Sequence, residues 1–213
     1  LERALRRSPN DDDLAEGVLT ANLIKGRYGA AEKLIASHRF EHRHRSYELR
    51  DKYRMLRYAE GTAAFGRGSF GDALKQFETA LQPPVTLGVD DFTSQTSPQK
   101  EYYVGRTLEA QGAADRARAA YEHAIEGMQR LWGETGSWNS ENVYMVFALD
   151  RLGRTEEAAK LAEQFENYAR TQFDSRQPVR RVASRHVLGL LAERNGHPPE
   201  AKKLFEDAGA IQP

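Results

Sequence analysis

The chain has 213 residues, enough for one domain or for a short array of repeats. Its 31 lysines and arginines balance its 31 aspartates and glutamates, which argues against general nucleic-acid binding because that depends on neutralising phosphates. Without cysteine, the sequence excludes disulfides, thiolate metal ligands and a cysteine nucleophile.

Apolar residues make up 39% and charged residues 29% of the chain, a balance that favours amphipathic helices in a protein with few β-branched runs. No apolar run approaches the ~20 residues that span a bilayer, and no signal peptide is visible, so we expect a cytoplasmic protein without membrane contact. The chain opens with "LERALRRSPNDDD" and no methionine, which we interpret as the start of a fragment.

The first predicted element is the second helix of a hairpin whose first helix is missing. It covers residues 1–9, where Ala4 and Pro9 have the phase of a second helix and its stop. Five complete hairpins are predicted after it, over residues 12–45, 54–87, 98–131, 139–172 and 182–213.

The hairpins are recognised by a glycine that recurs at intervals of 42, 44, 41 and 43 residues: Gly26, Gly68, Gly112, Gly153 and Gly196. A glycine between two helices adopts the left-handed conformation that ends the first helix without a Cβ penalty. An alanine follows each glycine by five residues: Ala31, Ala73, Ala117, Ala158 and Ala201. We expect these alanines, and the residue seven before each glycine, to let the two helices approach closely, and the bulkier residue nine after it to fill the gap to the next hairpin.

The pattern resembles the tetratricopeptide repeat, most clearly in "YAEGTAAFGRGSFGDALKQFETALQPP", with Gly61, Phe77 and Ala80 in phase. The resemblance implies an all-α, right-handed α-solenoid of stacked helix hairpins. The period exceeds the usual ~34 residues, and the surplus lies between hairpins. We expect these segments to cluster along one edge, unless they mainly lengthen helices.

A second resemblance is to the helical C-terminal region of an uncharacterised bacterial family with an N-terminal, sugar-enzyme-like β-sandwich. It is carried by residues 26–40, "FETALQPPVTLGVDD" and "YYVGRTLEAQG". The chain departs from it at "EHRHRSYE" after Phe40. This resemblance implies a parent protein that handles carbohydrate, and it places no catalytic residue in this chain.

Two short motifs suggest chemistry. "GRGSFG", Gly66–Gly71, matches a dinucleotide-binding fingerprint, but a helical pattern precedes it where a strand is needed, so we interpret its glycines as structural. "HRFEH" matches an inverted zinc-protease signature in which His38 and His42 would share a helix face, with His44 nearby. We favour the end of a helix running into a basic loop, and predict no metal and no cofactor.

Three other features give weaker indications of a functional site. Asp90 and Asp91 lie in a polar loop whose spacing is not that of a calcium site. Trp132 and Trp138 bracket "GETGS" and either form a docking surface or cap the seam between hairpins. A basic cluster, Arg180, Arg181 and Arg185, is interpreted as a solvated helix start.

The first helices of tetratricopeptide-like hairpins line a concave face. One side of each first helix contains Tyr58, Thr62, Phe65, Tyr102, Arg106, Glu109, Phe147, Asp150, Arg151, His186, Glu193 and Arg194. Aromatic residues mixed with arginines are typical of binding hot spots, although the rings also suit a core.

Three functions remain open from the sequence. The first is a non-catalytic module that binds a protein segment or its own N-terminal domain through the concave face. The second is an accessory domain of a carbohydrate-active, glycoside-hydrolase-like bacterial enzyme. The third, a stand-alone metalloenzyme, depends on His38 and His42 alone. A homodimer is left open.

Overall fold

The computed structural model describes residues 1–41, 46–89, 97–126 and 139–211. Within these ranges the secondary structure is helical and contains no strand, which confirms the predicted all-α class. The α-helices are α1 Glu2–Arg7, α2 Asp12–Ile24, α3 Tyr28–Ser37, α4 Ser46–Gly66, α5 Phe70–Thr79, α6 Pro98–Ala110, α7 Ala114–Ile125, α8 Tyr144–Arg151, α9 Thr155–Gln172, α10 Pro178–Arg194 and α11 Pro198–Gly209. Short 3₁₀ helices cover Val85–Leu87 and Ser140–Val143. No helix in the described ranges combines the length and the apolar character needed to cross a bilayer.

Five helix pairs meet at the five predicted turn glycines. These glycines have positive φ angles between 66° and 78°, as the repeat pattern predicts. At every turn the residue after the glycine donates its N–H to the carbonyl five positions back, as in the 2.8 Å bond from Arg27 to Asn22 and the 2.9 Å bond from Ser69 to Ala64. Such a bond satisfies a carbonyl that the helix end would leave open, so one local device ends five first helices.

The small residues around each turn are buried as predicted. The alanine five residues after each glycine is at most 3% exposed in all five hairpins. The residue seven before the glycine is buried in each hairpin as well, and it is glycine in three of them: Gly61, Gly105 and Gly189. Small side chains therefore occur on both partners in three hairpins, whereas the first and the fourth have Leu19 and Val146 opposite the alanine helix.

In three hairpins the bulky residue nine after the turn packs within its own hairpin, a role besides the one predicted. The rings of Phe77, Tyr121 and Phe205 lie directly over Gly61, Gly105 and Gly189 of the same hairpin. We expected these side chains to fill the gap to the next hairpin, but the absence of a side chain on the facing first helix creates a slot that the ring enters.

The described chain forms two compact units. The first comprises Leu1–Gln95 and Arg106–Ala113, and the second comprises Thr96–Gly105 and Ala114–Pro213. In the first unit, a core of buried side chains joins α2, α3 and α4 to the segments that follow α3 and α5. It contains Ala15, Leu19, Leu23, Ala31, Ile35, Phe40, Leu49, Tyr53, Leu56 and Leu87.

The surplus residues between hairpins have two uses in the described ranges, and their clustering along one edge stays a prediction. Some lengthen helices: α4 has 21 residues, α9 has 18 and α10 has 17, whereas α3 and α5 have 10 each. Others bring two connecting segments together, because the N–H of Phe40 donates to the carbonyl of Thr86 over 2.8 Å.

The glycine-rich "GRGSFG" stretch forms a hairpin turn. Gly66 is the last residue of α4, Gly68 has a φ of 76°, and α5 begins at Phe70. A helix therefore leads into the motif, where a dinucleotide fingerprint requires a strand. This geometry agrees with the structural interpretation of these glycines.

Candidate partner-binding face

The candidate face consists of residues on one side of the first helices, which are α4, α6, α8 and α10. Its members differ widely in exposure. Tyr58 and Tyr102 are buried, at 9% and 7%, and belong to the core as much as to a surface. The exposed members are Thr62, Glu109, Arg151 and Glu193, and the half-exposed ones are Phe65, Arg106, Phe147, Asp150, His186 and Arg194.

In the first unit, the face is centred on Phe65. The guanidinium of Arg106, on α6, lies 5.3 Å from the centroid of the Phe65 ring, within cation–π distance. The same ring meets Phe70 edge-on at 5.3 Å. Tyr58, two turns earlier on α4, packs against Phe77 at 6.3 Å. The structure thus brings together an arginine and an aromatic ring that the sequence places 41 residues apart.

In the second unit, an aromatic cluster joins α6 to α8. The Tyr102 ring lies 5.7 Å from Phe147 and 5.6 Å from Tyr144, and Tyr103 lies 5.5 Å from Tyr144. The hydroxyls of Tyr103 and Tyr144 are 3.2 Å apart, and the Gln99 amide donates to the Tyr144 hydroxyl over 3.3 Å. The cluster presents half-exposed ring edges and a tyrosine hydroxyl pair on neighbouring helices.

Sequence reasoning missed Tyr103, Tyr144 and Gln99. Tyr103 follows Tyr102 directly, and Tyr144 lies one turn before Phe147. Helical spacing from the predicted residues would have found Tyr144, because positions three and four apart share a face. The pairing of the two hydroxyls across hairpins has no sequence signal.

Asp150 and Arg194 form a close ionic contact on the face. Arg194 Nε and Nη2 donate to Asp150 Oδ2 and Oδ1 over 2.6 and 2.9 Å, a bidentate arrangement. The hydrogen bond and the charge of Asp150 raise the pKa of Arg194. This pair links the end of α8 to the end of α10, so two predicted face residues from different hairpins are direct partners.

His186 replaces the tyrosines at its repeat position. It lies ten residues before its turn glycine, as Tyr58 and Tyr102 do, and its ring packs 5.6 Å from that of Phe205. Burial lowers the pKa of His186, because the interior of the hairpin disfavours the charged imidazolium.

The basic cluster at the start of α10 binds the end of the preceding helix. Arg185 Nη1 donates to the Phe173 carbonyl over 2.7 Å, and its guanidinium lies 3.9 Å from the Phe173 ring. Arg181 Nη1 donates to the Ser175 carbonyl over 3.0 Å. The expected solvated helix start is therefore wrong for these two arginines, because carbonyls left open where α9 ends attract cationic donors. Arg180 is exposed and donates to the Gln172 side chain over 3.3 Å.

The second unit also contains a groove of about 410 Å³ between α9, α10 and α11. Charged side chains lie at its rim. Two pairs there, Arg170–Glu166 and His197–Glu200, each join residues three or four apart in the sequence. Its apolar lining includes Phe173, Leu188, Leu191, Ala192 and Leu204. The groove mixes polar and apolar side chains and gives little basis for selecting a ligand.

The zinc-protease interpretation meets an obstacle at His38. Helix α3 ends at Ser37, and His38 has extended backbone angles, so residues 38–41 lack the helical geometry of the motif. The His38 Nε2 atom lies 2.8 Å from Asp12 Oδ1, and both side chains are buried. No group of three or more acidic or histidine side chains is suited to a metal within the described ranges. Candidates at His42, His44, Asp90, Asp91, Trp132 and Trp138 lie outside those ranges.

No family model matches the chain, and no curated protein shows significant similarity to it. A function for the chain is therefore inferred from the geometry described above.

Proposed function

We propose that the chain is a non-catalytic helical-repeat module of the tetratricopeptide type, which binds a protein segment through the first helices of its hairpins. The segment belongs to another chain or to a neighbouring domain of the same chain. The observation that carries the proposal is the set of contacts between first helices of successive hairpins: Phe65–Arg106 in the first unit, and Tyr102–Phe147 and Asp150–Arg194 in the second.

These contacts support binding because they give each unit a continuous strip instead of isolated side chains. Half-exposed Phe65 with Arg106, and half-exposed Phe147 and Tyr103, which both contact Tyr102, combine rigid apolar area with polar edges. Side chains of this kind dominate the energy of protein interfaces. Repeat arrays commonly bind partners along such strips.

The exposure of the face residues dictates how the proposal is tested. Truncation of Tyr102 would damage the core and confuse unfolding with loss of binding, because Tyr102 is buried among Tyr121, Tyr144 and Phe147. Thr62 and Arg151 are exposed and report on the face of each unit. Lys33 on α3 and Lys202 on α11 are exposed residues of second helices and serve as matched controls.

The experiment places a photo-crosslinking amino acid at each of these four positions in living host cells. We expect partner adducts from Thr62 and Arg151 and none from Lys33 or Lys202. A purified fragment of the crosslinked partner should then bind the wild-type chain in calorimetry and bind Thr62→Arg or Arg151→Glu at least about tenfold more weakly. Adducts from the two control positions alone would overturn the proposal. Adducts to a preceding domain of the same protein would identify the partner as intramolecular.

A further inference from the structure

Two connecting segments of the first unit, 38–41 after α3 and 84–88 after α5, are in direct contact. The first leaves hairpin α2–α3 and the second leaves hairpin α4–α5. In an array of repeats, neighbouring hairpins are held mainly by the packing of their helices. Contacts between successive connecting segments add a second kind of link. We call residues 38–41 the connector and residues 84–88 the strap.

The strap holds the connector through backbone and side chain at once. The N–H of Phe40 donates to the Thr86 carbonyl over 2.8 Å, and the Thr86 hydroxyl donates to the Ile35 carbonyl at the end of α3 over 2.7 Å. Gly88, with a φ of 62°, brings the chain so close that a Cβ atom there would lie 2.5 Å from the Phe40 carbonyl oxygen. A side chain at position 88 would push the two segments apart.

Asp12, at the start of α2, holds the connector through contacts of its own. Its Oδ1 atom lies 2.8 Å from His38 Nε2, and its Oδ2 accepts the N–H of Glu41 over 2.9 Å. Asp12 and His38 are both buried, and the His38 ring meets Phe40 edge-on at 4.5 Å. Adjacent amides, Phe40 and Glu41, are therefore bound by two elements that lie more than 70 residues apart in the sequence.

Apolar burial connects these polar contacts. Phe40 of the connector is 4% exposed and Leu87 of the strap is 1% exposed, and both belong to the core that contains Leu19, Ile35 and Leu56. Opening either segment would expose this apolar area to water, so the segments gain by closing together.

We infer that the strap, the connector and Asp12 form one cooperative lock that holds hairpin α2–α3 on hairpin α4–α5. While the lock is closed, the connector is a rigid joint; when it opens, the connector becomes a hinge for α1–α3. The extra residues that lengthen the repeat thus act as a conformational device at this point of the chain. The inference does not depend on the proposed function.

Native-state hydrogen exchange at the Phe40 and Glu41 amides tests the lock, because each amide reports on a different holder. Thr86→Val removes the hydroxyl bond to Ile35, which involves neither amide. We expect it to speed exchange at both amides by about fivefold. Asp12→Asn, which removes one acceptor oxygen, should speed exchange at Phe40 as well as at Glu41.

Two variants control the measurement. Thr79→Val removes a similar hydroxyl bond, made within α5 to the Lys75 carbonyl over 2.8 Å, and should leave both amides unchanged. Thr86→Ser keeps the hydroxyl and should retain wild-type exchange. Faster exchange confined to Phe40 in Thr86→Val, or confined to Glu41 in Asp12→Asn, would overturn the inference. Unchanged exchange at both amides in Thr86→Val would overturn it as well.

Discussion

The ring of Tyr121 occupies the space that a side chain on Gly105 would need: a Cβ atom built on Gly105 would lie 2.5 Å from Tyr121 Cε1. The relationship repeats in two other hairpins, where Phe77 covers Gly61 and Phe205 covers Gly189. Glycine inside a helix costs about 0.5–1 kcal/mol relative to alanine, so its presence at these positions reflects the ring that it admits.

Gly105→Ala should therefore destabilise the protein, although alanine is the better helix former. The buried Tyr121 ring cannot move away freely, and overpacking of this kind costs about 1–3 kcal/mol of unfolding free energy. Urea denaturation measures the loss. Gly71→Ala is the matched control, because Gly71 lies in α5 with nothing within 4 Å of a Cβ atom, and it should be neutral or stabilising by up to about 1 kcal/mol. Equal changes in unfolding free energy in the two variants would contradict the conclusion that the Tyr121 ring fills the space over Gly105.

His186 should make stability depend on pH. Burial lowers its folded-state pKa below the ordinary value of 6.5, so the unfolded chain binds this proton more readily than the folded chain. The contribution to stability is fully present above pH 6.5 and is lost as the pH falls below that value. His186→Phe should reduce the drop in unfolding free energy between about pH 7.5 and about pH 5.5.

The control for this pH effect is His123→Gln, at an exposed histidine on α7. We expect this variant to keep the wild-type pH dependence. If His186→Phe also kept it, burial of His186 would not be its source.

The Asp150–Arg194 pair should contribute a measurable but modest coupling. Its bidentate geometry favours the interaction, whereas the half exposure of both side chains limits it to about 1 kcal/mol. A double-mutant cycle with Asp150→Asn and Arg194→Gln measures the coupling by urea denaturation. The coupling should decrease in high salt. Additivity of the two substitutions within about 0.3 kcal/mol would show that the contact contributes nothing.

Ser184→Ala should destabilise the second unit. Ser184 is fully buried, and its hydroxyl donates over 2.7 Å to the Ala169 carbonyl of α9. Removal of a buried hydrogen-bond partner costs about 1–3 kcal/mol, measured as a change in the urea midpoint at constant slope. Ser37→Ala removes a comparable but exposed hydroxyl and should change stability by less than about 0.5 kcal/mol. A Ser184 variant as stable as the Ser37 variant would contradict the bond's contribution.

The helices and turns were predictable because their signals are local. Each turn depends on one glycine that must adopt positive φ, and each close approach depends on an alanine at a set distance from it. Five copies of the pattern reinforce one another, so a single ambiguous residue does not obscure the phase. The same local signals show that a helix, and not a strand, leads into "GRGSFG".

The contacts between elements were less predictable because they depend on how helices are placed in space. The sequence shows that Phe77 is bulky, but only the position of Gly61 shows where the ring fits. It shows a cluster of arginines, but not that Arg185 reaches the carbonyl of Phe173. For the candidate face, the residue types indicated which side chains suit binding. The burial of Tyr58 and Tyr102 could be seen only in the structure.

The paired positions around the turn differ in size between the third and the fourth hairpin. Gly105 accompanies Tyr121, whereas the equivalent positions of the following hairpin hold Val146 and Ala162. If these helices exchanged mates during folding, valine would collide with the tyrosine ring, and glycine opposite alanine would leave a void. Similar repeats are prone to such misassembly. The unequal pairs therefore disfavour an exchange of mates between these two hairpins, whereas the three hairpins that share a glycine under an aromatic ring have no such size difference to separate them.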